Sequence, residues 1–290
     1  MLVGSVMTKD VIFAEVPGKR SELLELMRKH KVTGLPVVKR GTREVAGIVT
    51  RQDLLEHVEE EQTALLMTRD VVNVTPETPL NKAASIMLER GFRRLPVVDD
   101  KGQLVGIITI GDIIHRVFLR KQAQLSSLTI DDIPLAKPYL VWESTPLTVL
   151  SYIMKVSKAE VSAVLNSDFS FVGVLSLSDI VFLSELEQEE TQSSLSAGSE
   201  GQEWDWDSST VIYITKRVLT LPSKPVHEVM SKPPVTIAEH AGVAECVRKM
   251  KRFDVDQIFV VSASGEIIGV LRDIDLVRTV ITKLEKIFES

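Results

Sequence analysis

Cysteine, aromatic residues and long apolar runs are all scarce in this chain. A single cysteine, Cys246, among 290 residues excludes an internal disulfide and fits a reducing, cytoplasmic compartment. Phe, Trp and Tyr together make up 5%, so the core must be built from Val, Ile, Leu and Met. Apolar runs such as 104–108 are strand-length, far below the ~18 residues of a membrane-spanning helix, and no membrane partner is expected. Residues 1–10 lack a basic stretch followed by an apolar one, so no signal peptide is expected. The formal charge of −6 gives none of the basic excess of a nucleic-acid binder, and no nucleic-acid partner is expected. The five histidines (His30, His57, His115, His227, His240) are scattered, with no HExxH or Cys-His cluster. Neither a GxSxG nor a Walker-type loop is present. No metal site, resident cofactor or enzymatic activity is therefore expected.

What the chain does have is an internal repeat. Gly47-Ile48-Val49-Thr50-Arg51-Gln52-Asp53 recurs as Gly106-Ile107-Ile108-Thr109-Ile110-Gly111-Asp112, as Gly173-Val174-Leu175-Ser176-Leu177-Ser178-Asp179 and as Gly269-Val270-Leu271-Arg272-Asp273-Ile274-Asp275. Met7-Thr8, Met67-Thr68 and Met230-Ser231 lead three of the copies, and Ile133-Pro134 holds the corresponding place in the third. Between these marks lie apolar stripes of amphipathic helices: Leu23, Leu24 and Met27; Leu80, Ala83, Ala84 and Met87; Leu147, Leu150 and Met154; Val243, Cys246, Val247 and Met250. Cys246 thus falls in a core stripe. Thr78-Pro79 and Thr145-Pro146 read as N-cap and first helical residue. Extended runs follow (Leu35-Pro36-Val37-Val38, Leu95-Pro96-Val97-Val98, 161–165, Ile258-Phe259-Val260-Val261), then turns such as Asp99-Asp100-Lys101-Gly102, then a second strand and a second helix, over 112–119 in copy two. Each unit reads strand, helix, strand, strand, helix. A unit of roughly 60 residues buries too little surface alone, so the units should pair.

The organisation expected is 1–60, 61–122, 123–186 and 223–290 for the four repeats, with 187–222 as an acidic linker and added strand. Residues 185–208 hold eight Asp and Glu and no Lys or Arg, and their Ser, Gly and Gln content predicts a flexible segment. The strand is expected around Val211-Ile212-Tyr213-Ile214. Trp204-Asp205-Trp206-Asp207 is odd in a linker, and an acidic-aromatic stretch over 200–207 would be suited to folding back on a cleft or recruiting a partner.

On these residues the chain resembles a protein of four cystathionine-β-synthase (CBS) domains, in layout similar to the γ subunit of AMP-activated protein kinase. The resemblance implies an α+β (mixed α/β) fold of four β-α-β-β-α repeats paired into two Bateman modules. It also implies clefts for an adenine nucleotide (AMP, ADP or ATP), a regulatory rather than catalytic role, an unknown regulated protein and a possible homodimer through module packing. Taken alone, Thr-x-x-Asp at a helix start is also a helix-capping arrangement. The family places a phosphate on the hydroxyl and ribose hydroxyls on the carboxylate. Carried over, these roles fall on Thr50, Asp53, Thr109, Asp112, Ser176, Asp179 and Asp275. Arg93 and Arg94 stand before the Leu-Pro-Val strand of copy two, where guanidinium forks suit phosphate. The equivalent places hold Thr33-Gly34, Glu160-Val161 and Asp256-Gln257, so the first module is better equipped. In copy four Arg272 replaces the hydroxyl residue and either meets a phosphate or fills the cleft. Fewer occupied sites are expected in the second module. Rival readings are a scaffold with empty clefts and a regulator binding S-adenosylmethionine or NAD.

Overall fold

The computed structural model describes residues 1–57, 60–195, 210–284 and 287–288. Unit 1 holds β1 (Ala14–Val16), α1 (Arg20–His30), β2 (Gly34–Lys39), β3 (Val45–Thr50) and α2 (Arg51–Glu56). Unit 2 follows with α3 (Thr63–Leu66), α4 (Leu80–Arg90), β4 (Arg94–Val98), β5 (Leu104–Thr109) and α5 (Ile110–Asp112), which runs on through wider and tighter turns into α6 (Gln122–Leu125). Unit 3 holds β6 (Leu140–Trp142), α7 (Leu147–Ser157), β7 (Val161–Leu165), β8 (Phe171–Ser176) and α8 (Leu177–Leu183). A hairpin of β9 (Glu185–Leu195) and β10 (Thr210–Thr220) comes next. Unit 4 closes the chain with β11 (Thr236–Ala238), α9 (Val243–Phe253), β12 (Gln257–Val261), β13 (Ile267–Arg272) and α10 (Asp273–Lys283).

The four expected repeats are therefore present. In units 1, 3 and 4 the first strand pairs parallel to the second, which pairs antiparallel to the third. In unit 2 the first strand shrinks to a parallel bridge between Val74 and Val97. The stripes found in the sequence are core: Leu23, Met27, Leu80, Met87, Leu147, Leu150, Met154, Cys246 and Met250 are all 0–1% exposed. Burial also pushes the Cys246 thiol up to about 12, as suits a packing residue. Helices α1, α4, α7 and α9 each end in a left-handed residue (Lys31, Gly91, Lys158, Asp254). Its N–H caps the carbonyl of the stripe's methionine.

The units close a ring. Sheet faces join unit 1 to unit 2 around Val11, Val38 and Leu104, and unit 3 to unit 4 around Ala163, Phe259 and Val270. Helical faces join the two pairs, so that unit 1 shares a core with unit 3, and unit 2 with unit 4.

Within each sheet-joined pair, the leading segments are exchanged. Thr8 bridges to Ile107 of unit 2, and Thr68 bridges back to Ile48 of unit 1. Ala136 bridges to Val270, and Ser231 to Val174. This explains the repeat's glycine. A Cβ at Gly106 would lie 2.5 Å from Met7 Sδ, and one at Gly47 2.6 Å from Met67 Sδ. Gly173 faces Met230 in the same way, and a Cβ at Gly269 would sit 2.8 Å from Leu135 Cβ. Arg116 holds the first exchange in place, donating to Val6 O, Met7 O and Thr8 Oγ1 at 2.7, 2.8 and 2.9 Å.

Three expectations are corrected. The leading mark of unit 3 is Leu135-Ala136, not Ile133-Pro134, because Leu135 is what covers Gly269. Helices α4 and α7 begin at Leu80 and Leu147, with Pro79 and Pro146 at the cap and no side-chain cap bond. Thr78 instead accepts from Thr75 N at 3.0 Å, closing a turn. Residues 185–195, read as flexible from their composition, form β9, paired antiparallel along its whole length with β10. A β-branched partner strand supplies the backbone ladder that composition alone does not reveal. The expected strand near Val211 lies within β10. The Trp204–Trp206 segment lies outside the described residues.

The exchange generates a prediction. Gly106→Ala should destabilise the protein by about 1–3 kcal/mol through overpacking. In a Met7→Ala background the same substitution should cost clearly less, because the sulfur it meets is gone. Urea denaturation of both singles and the double checks this, and equal costs in the two backgrounds would contradict the contact.

Candidate functional site

Every Thr or Ser of the repeat motif that sits at a helix start is a helix cap, and the acid three residues later completes it. Asp53 Oδ2 accepts from Thr50 N and Thr50 Oγ1, each at 2.7 Å. Asp112 Oδ2 accepts from Thr109 N at 2.9 Å and from its hydroxyl at 2.7 Å. Asp179 Oδ2 does the same with Ser176 at 2.8 and 2.7 Å. The carboxylates differ at their second oxygen. Asp112 Oδ1 accepts from Thr8 Oγ1 at 3.1 Å and pairs with Arg116 Nε at 3.2 Å. For Asp53 and Asp179, no further partner of the carboxylate occurs among the described residues. In unit 4, Asp275 is buried and salt-bridged to Arg272 Nε at 2.5 Å, with Arg278 at 4.0 Å. Arg272 thus neutralises the acid of its own unit.

Two cavities adjoin these groups. One, of about 770 Å³, occupies the middle of the ring and takes in Thr109, Asp112, Ser176 and Asp179. The other, of about 450 Å³, lies at the junction of units 1 and 2. It brings Thr50 and Asp53 together with Arg93 and Arg94, and with the apolar groups Ile48, Val71, Val72, Phe92 and Leu95. Asp275 lines neither. Thr33, Arg51, Arg93, Arg94 and Glu160 line both, so the cavities share a charged wall.

That wall is built from one register position used four times. Thr33, Arg93-Arg94, Glu160 and Asp256 all precede or open the second strand of their unit, and the ring brings them to its centre. Arg93 of unit 2 donates to Glu160 of unit 3 at 3.1 Å, and to Asp256 and Asp273 of unit 4 at 3.0 and 2.6 Å. Arg51 of unit 1 bonds Ser178 of unit 3 and lies 3.8 Å from Asp256. Burial alone would lower the Arg93 pKa. The carboxylates of Asp273, Asp256 and Glu160 outweigh it and hold the guanidinium above its ordinary range. Asp273 is pushed up to about 7, first by burial and then by the like charges of Asp256 and Glu160, against the pull of Arg93.

Arg94 is in the opposite state. It bonds Thr33 Oγ1, and no carboxylate lies within salt-bridge distance among the described residues. Burial, then the neighbouring charges of Arg93 and Arg51, lower its pKa to about 10. The sequence grouped the two arginines as equals, whereas the structure makes Arg93 a tie between units and leaves Arg94 under-neutralised on the cavity wall. Thr33, Glu160 and Asp256 looked only like places lacking a cation. Their shared register was the signal that they meet, but Arg51 and Asp273 gave none.

The family model for the CBS domain matches residues 3–60, 63–119 and 226–282, more than half of the chain. The chain belongs to the CBS family. Unit 3 of this CBS array lies outside the match yet keeps the same strand and helix order. Among solved structures, a conserved protein from Pyrococcus horikoshii is 27% identical, with 96% of this chain and 99% of that one covered and a TM-score of 0.62. A protein of Methanocaldococcus jannaschii, described as a candidate archaeal homolog of g-AMPK, shares the fold at 19% identity and a TM-score of 0.74, over 96% of this chain and 99% of that one. Sequence relatives include an inosine-5'-monophosphate dehydrogenase of Korarchaeum cryptofilum, 33% identical over 47% of this chain and 31% of that protein. Another is a protein of Methanopyrus kandleri, 34% identical over 39% of this chain and 61% of that protein. The CBS array thus spans less than two thirds of either relative. No helix among the described residues is long and apolar enough to cross a membrane, and no cluster of potential metal ligands occurs among them.

Removing the central cation tests the wall. Arg93→Met should cost about 2–3 kcal/mol, less than a fully buried pair because Glu160 and Asp256 keep contact with water. For Asp273, a folded-state pKa of about 7 against an unfolded 3.8 means that the native state holds the extra proton. This group's contribution therefore falls as pH rises from about 4 to about 7 and is level above. Asp273→Asn should flatten that decline, whereas Arg93→Met should extend it above neutrality. Urea denaturation on both sides of neutral pH checks both, and unchanged profiles would contradict the assignment.

Proposed function

We propose that this CBS array is a non-catalytic regulatory protein that binds AMP, ADP or ATP at the junction of units 1 and 2 and passes its ligand state to a partner protein. The observation that carries the reading is the convergence, in one cavity of about 450 Å³, of a half-engaged carboxylate (Asp53), an under-neutralised guanidinium (Arg94) and an apolar wall. Each matches one part of a nucleotide. The second oxygen of Asp53 is placed to accept from ribose hydroxyls, as acids do in dinucleotide sites. Arg94 supplies the fork that phosphate prefers, and an anion there relieves the repulsion from Arg93 and Arg51. Ile48, Val71, Val72 and Phe92 offer flat apolar contact for a purine. Thr50, already bonded to Asp53, fixes the carboxylate's orientation and can turn its hydroxyl toward a phosphate oxygen.

The charge of Arg94 also chooses between ligands. Uncompensated positive charge favours a phosphate and opposes the sulfonium cation of S-adenosylmethionine. Thr109 with Asp112, and Ser176 with Asp179, offer the same cap geometry to the central cavity. Asp112 has both oxygens engaged, which leaves Asp179 the better equipped of the two acids there. Asp275, paired to Arg272, is the weakest candidate. Because Arg93 lines the same cavity and grips units 3 and 4, a ligand beside it can bias how the two halves of the ring meet. It does so only to the extent that it binds the two arrangements differently.

Calorimetric titration with AMP, ADP, ATP and S-adenosylmethionine tests the reading. At least one of the nucleotides should bind more tightly than S-adenosylmethionine. Asp53→Ala and Arg94→Gln should each weaken that binding by about tenfold or more, since each removes a charged hydrogen bond of about 1.5–3 kcal/mol. Asp53→Ala also loses a cap worth about 1 kcal/mol, so melting curves on the same samples must show a folded variant. No heat with any nucleotide, or unchanged affinity in both folded variants, would overturn the proposal.

A further inference from the structure

The cavity at the junction of units 1 and 2 is not closed by those units alone. Lys158, Glu160 and Leu177 of unit 3 also line it, and Glu160 belongs to the wall that it shares with the central cavity. The Arg94 guanidinium is held at the same wall. It bonds Thr33 Oγ1, and Gly34 leaves it room, since an added Cβ there would collide with Arg94 Nη1. A phosphate seated on this fork, with its ribose at Asp53, therefore lies against the shared wall. Further phosphates would run on from Arg94 along that wall.

The other cations of the wall are already engaged. Arg93 meets Glu160, Asp256 and Asp273, and Arg51 bonds Ser178 and lies 3.8 Å from Asp256. Of the three guanidinium groups on the shared wall, only Arg94 lacks a carboxylate within salt-bridge distance among the described residues. The acids, by contrast, are not used up. Glu160 Oε2 accepts from Arg93 and Gln257 at 3.1 and 2.8 Å, and its other oxygen has no hydrogen-bond partner among the described residues. Glu160 and Asp256 both line the central cavity, with side chains 40 and 41% exposed, so each keeps negative charge open to it.

We infer that Glu160, supported by Asp256, is a specificity-determining residue that restricts the junction cavity to a nucleoside monophosphate. The inference rests on the nucleotide reading above and adds the number of phosphates. Arg94 supplies uncompensated charge for one phosphate group. A second and a third would extend into the carboxylates of Glu160 and Asp256, where like charges repel at short range. Space is not what excludes them, since the adjoining central cavity holds about 770 Å³. The longer ligand is rejected by charge, which is specificity through a repulsive element. Lys158, the remaining cation of the junction cavity, is exposed and lies off the shared wall. Because Glu160 comes from unit 3 while Asp53 and Arg94 come from units 1 and 2, the choice of ligand is made across the two halves of the ring.

Calorimetric titration of the full chain with AMP, ADP and ATP, without magnesium, decides it. Affinity should fall in that order, with ATP about tenfold or more weaker than AMP. Glu160→Gln keeps an acceptor for Arg93 and removes the charge. It should narrow the AMP-to-ATP ratio by about threefold or more, and Asp256→Asn should narrow it too. Arg93 retains two acids in either variant, and melting curves check that both are folded. In the wild type the ratio should also shrink as ionic strength rises from about 0.1 M to about 1 M, which cuts the screening length from ~10 Å to ~3 Å. Steric exclusion gives no such trend. ATP bound as tightly as AMP, with both lost in Asp53→Ala, would overturn this inference and leave the nucleotide site standing, whereas no binding of any nucleotide would overturn both. A ratio that neither salt nor either folded variant changes would also overturn it.

Discussion

Arg93 carries a positive charge into the middle of the ring, and three carboxylates from the other half converge on it. Withdrawing Arg93 and Asp273 from water is expensive, and the arrangement holds only because the guanidinium meets Asp273, Asp256 and Glu160 at 2.6–3.1 Å. The geometry constrains everything around it. Units 2, 3 and 4 meet at one side chain, while unit 1 reaches the same cluster through Arg51. The tie is more demanding than the aliphatic cores on either side, which accept many packings of similar volume. It also divides the labour between adjacent arginines. With the acids committed to Arg93, no carboxylate among the described residues lies within salt-bridge distance of Arg94, and the charge that can meet an incoming anion is set by the charge that cannot.

The exchanged leading segments explain why the repeats come in pairs. A single unit would leave the back of its glycine strand open, and a side chain from the neighbouring unit closes it. Met7 over Gly106 and Met67 over Gly47 are reciprocal, so neither unit of the pair has its complete packing without the other. The same reciprocity holds for Met230 over Gly173 and Leu135 over Gly269. Methionine suits a lid of this kind, since its unbranched chain fits an irregular gap. Leucine at 135 shows that an apolar group of similar size is what the position requires. The Met-Thr signature is thus a packing device, and its apparent absence from unit 3 was a shift of two residues and a change of lid.

The fold was legible because repetition supplied its own control: four in-register copies separated core positions from variable ones without any alignment. The caps were legible for the same reason, since Thr or Ser followed three residues later by Asp names a local geometry that sequence spacing fixes. The central cluster was not. Arg93, Glu160, Asp256 and Asp273 come from three units, and nothing local to Glu160 announces that it will face a guanidinium 67 residues away. Strand β9 was missed for a related reason, because its acidic composition argues for solvation while its pairing with β10 depends on a distant partner. The outward stripe of α7 was hidden by its neighbour. A search for apolar periodicity stops at Leu147, Leu150 and Met154, and a second stripe on the same helix reads as general hydrophobicity unless the other copies are laid beside it.

Unit 3 departs most from the family pattern, and where it departs is informative. It keeps what the ring demands: Met154 in the core, the left-handed cap at Lys158, Glu160 at the centre, and Ser176 with Asp179 at the start of α8. It changes the outer face of α7, its leading mark and the loop bearing Phe169, which touch neither the centre nor the helical face shared with unit 1. Loss of family signature in this unit therefore measures release from no constraint of the ring, only a change on surfaces that the ring leaves open. Random drift on a solvated face would be expected to leave polar residues in place, as α1 and α9 do, because exposed apolar groups gain nothing and invite association. In α7, Val149, Tyr152, Ile153 and Val156 instead form a second apolar stripe at helical spacing, on a face that the ring leaves open.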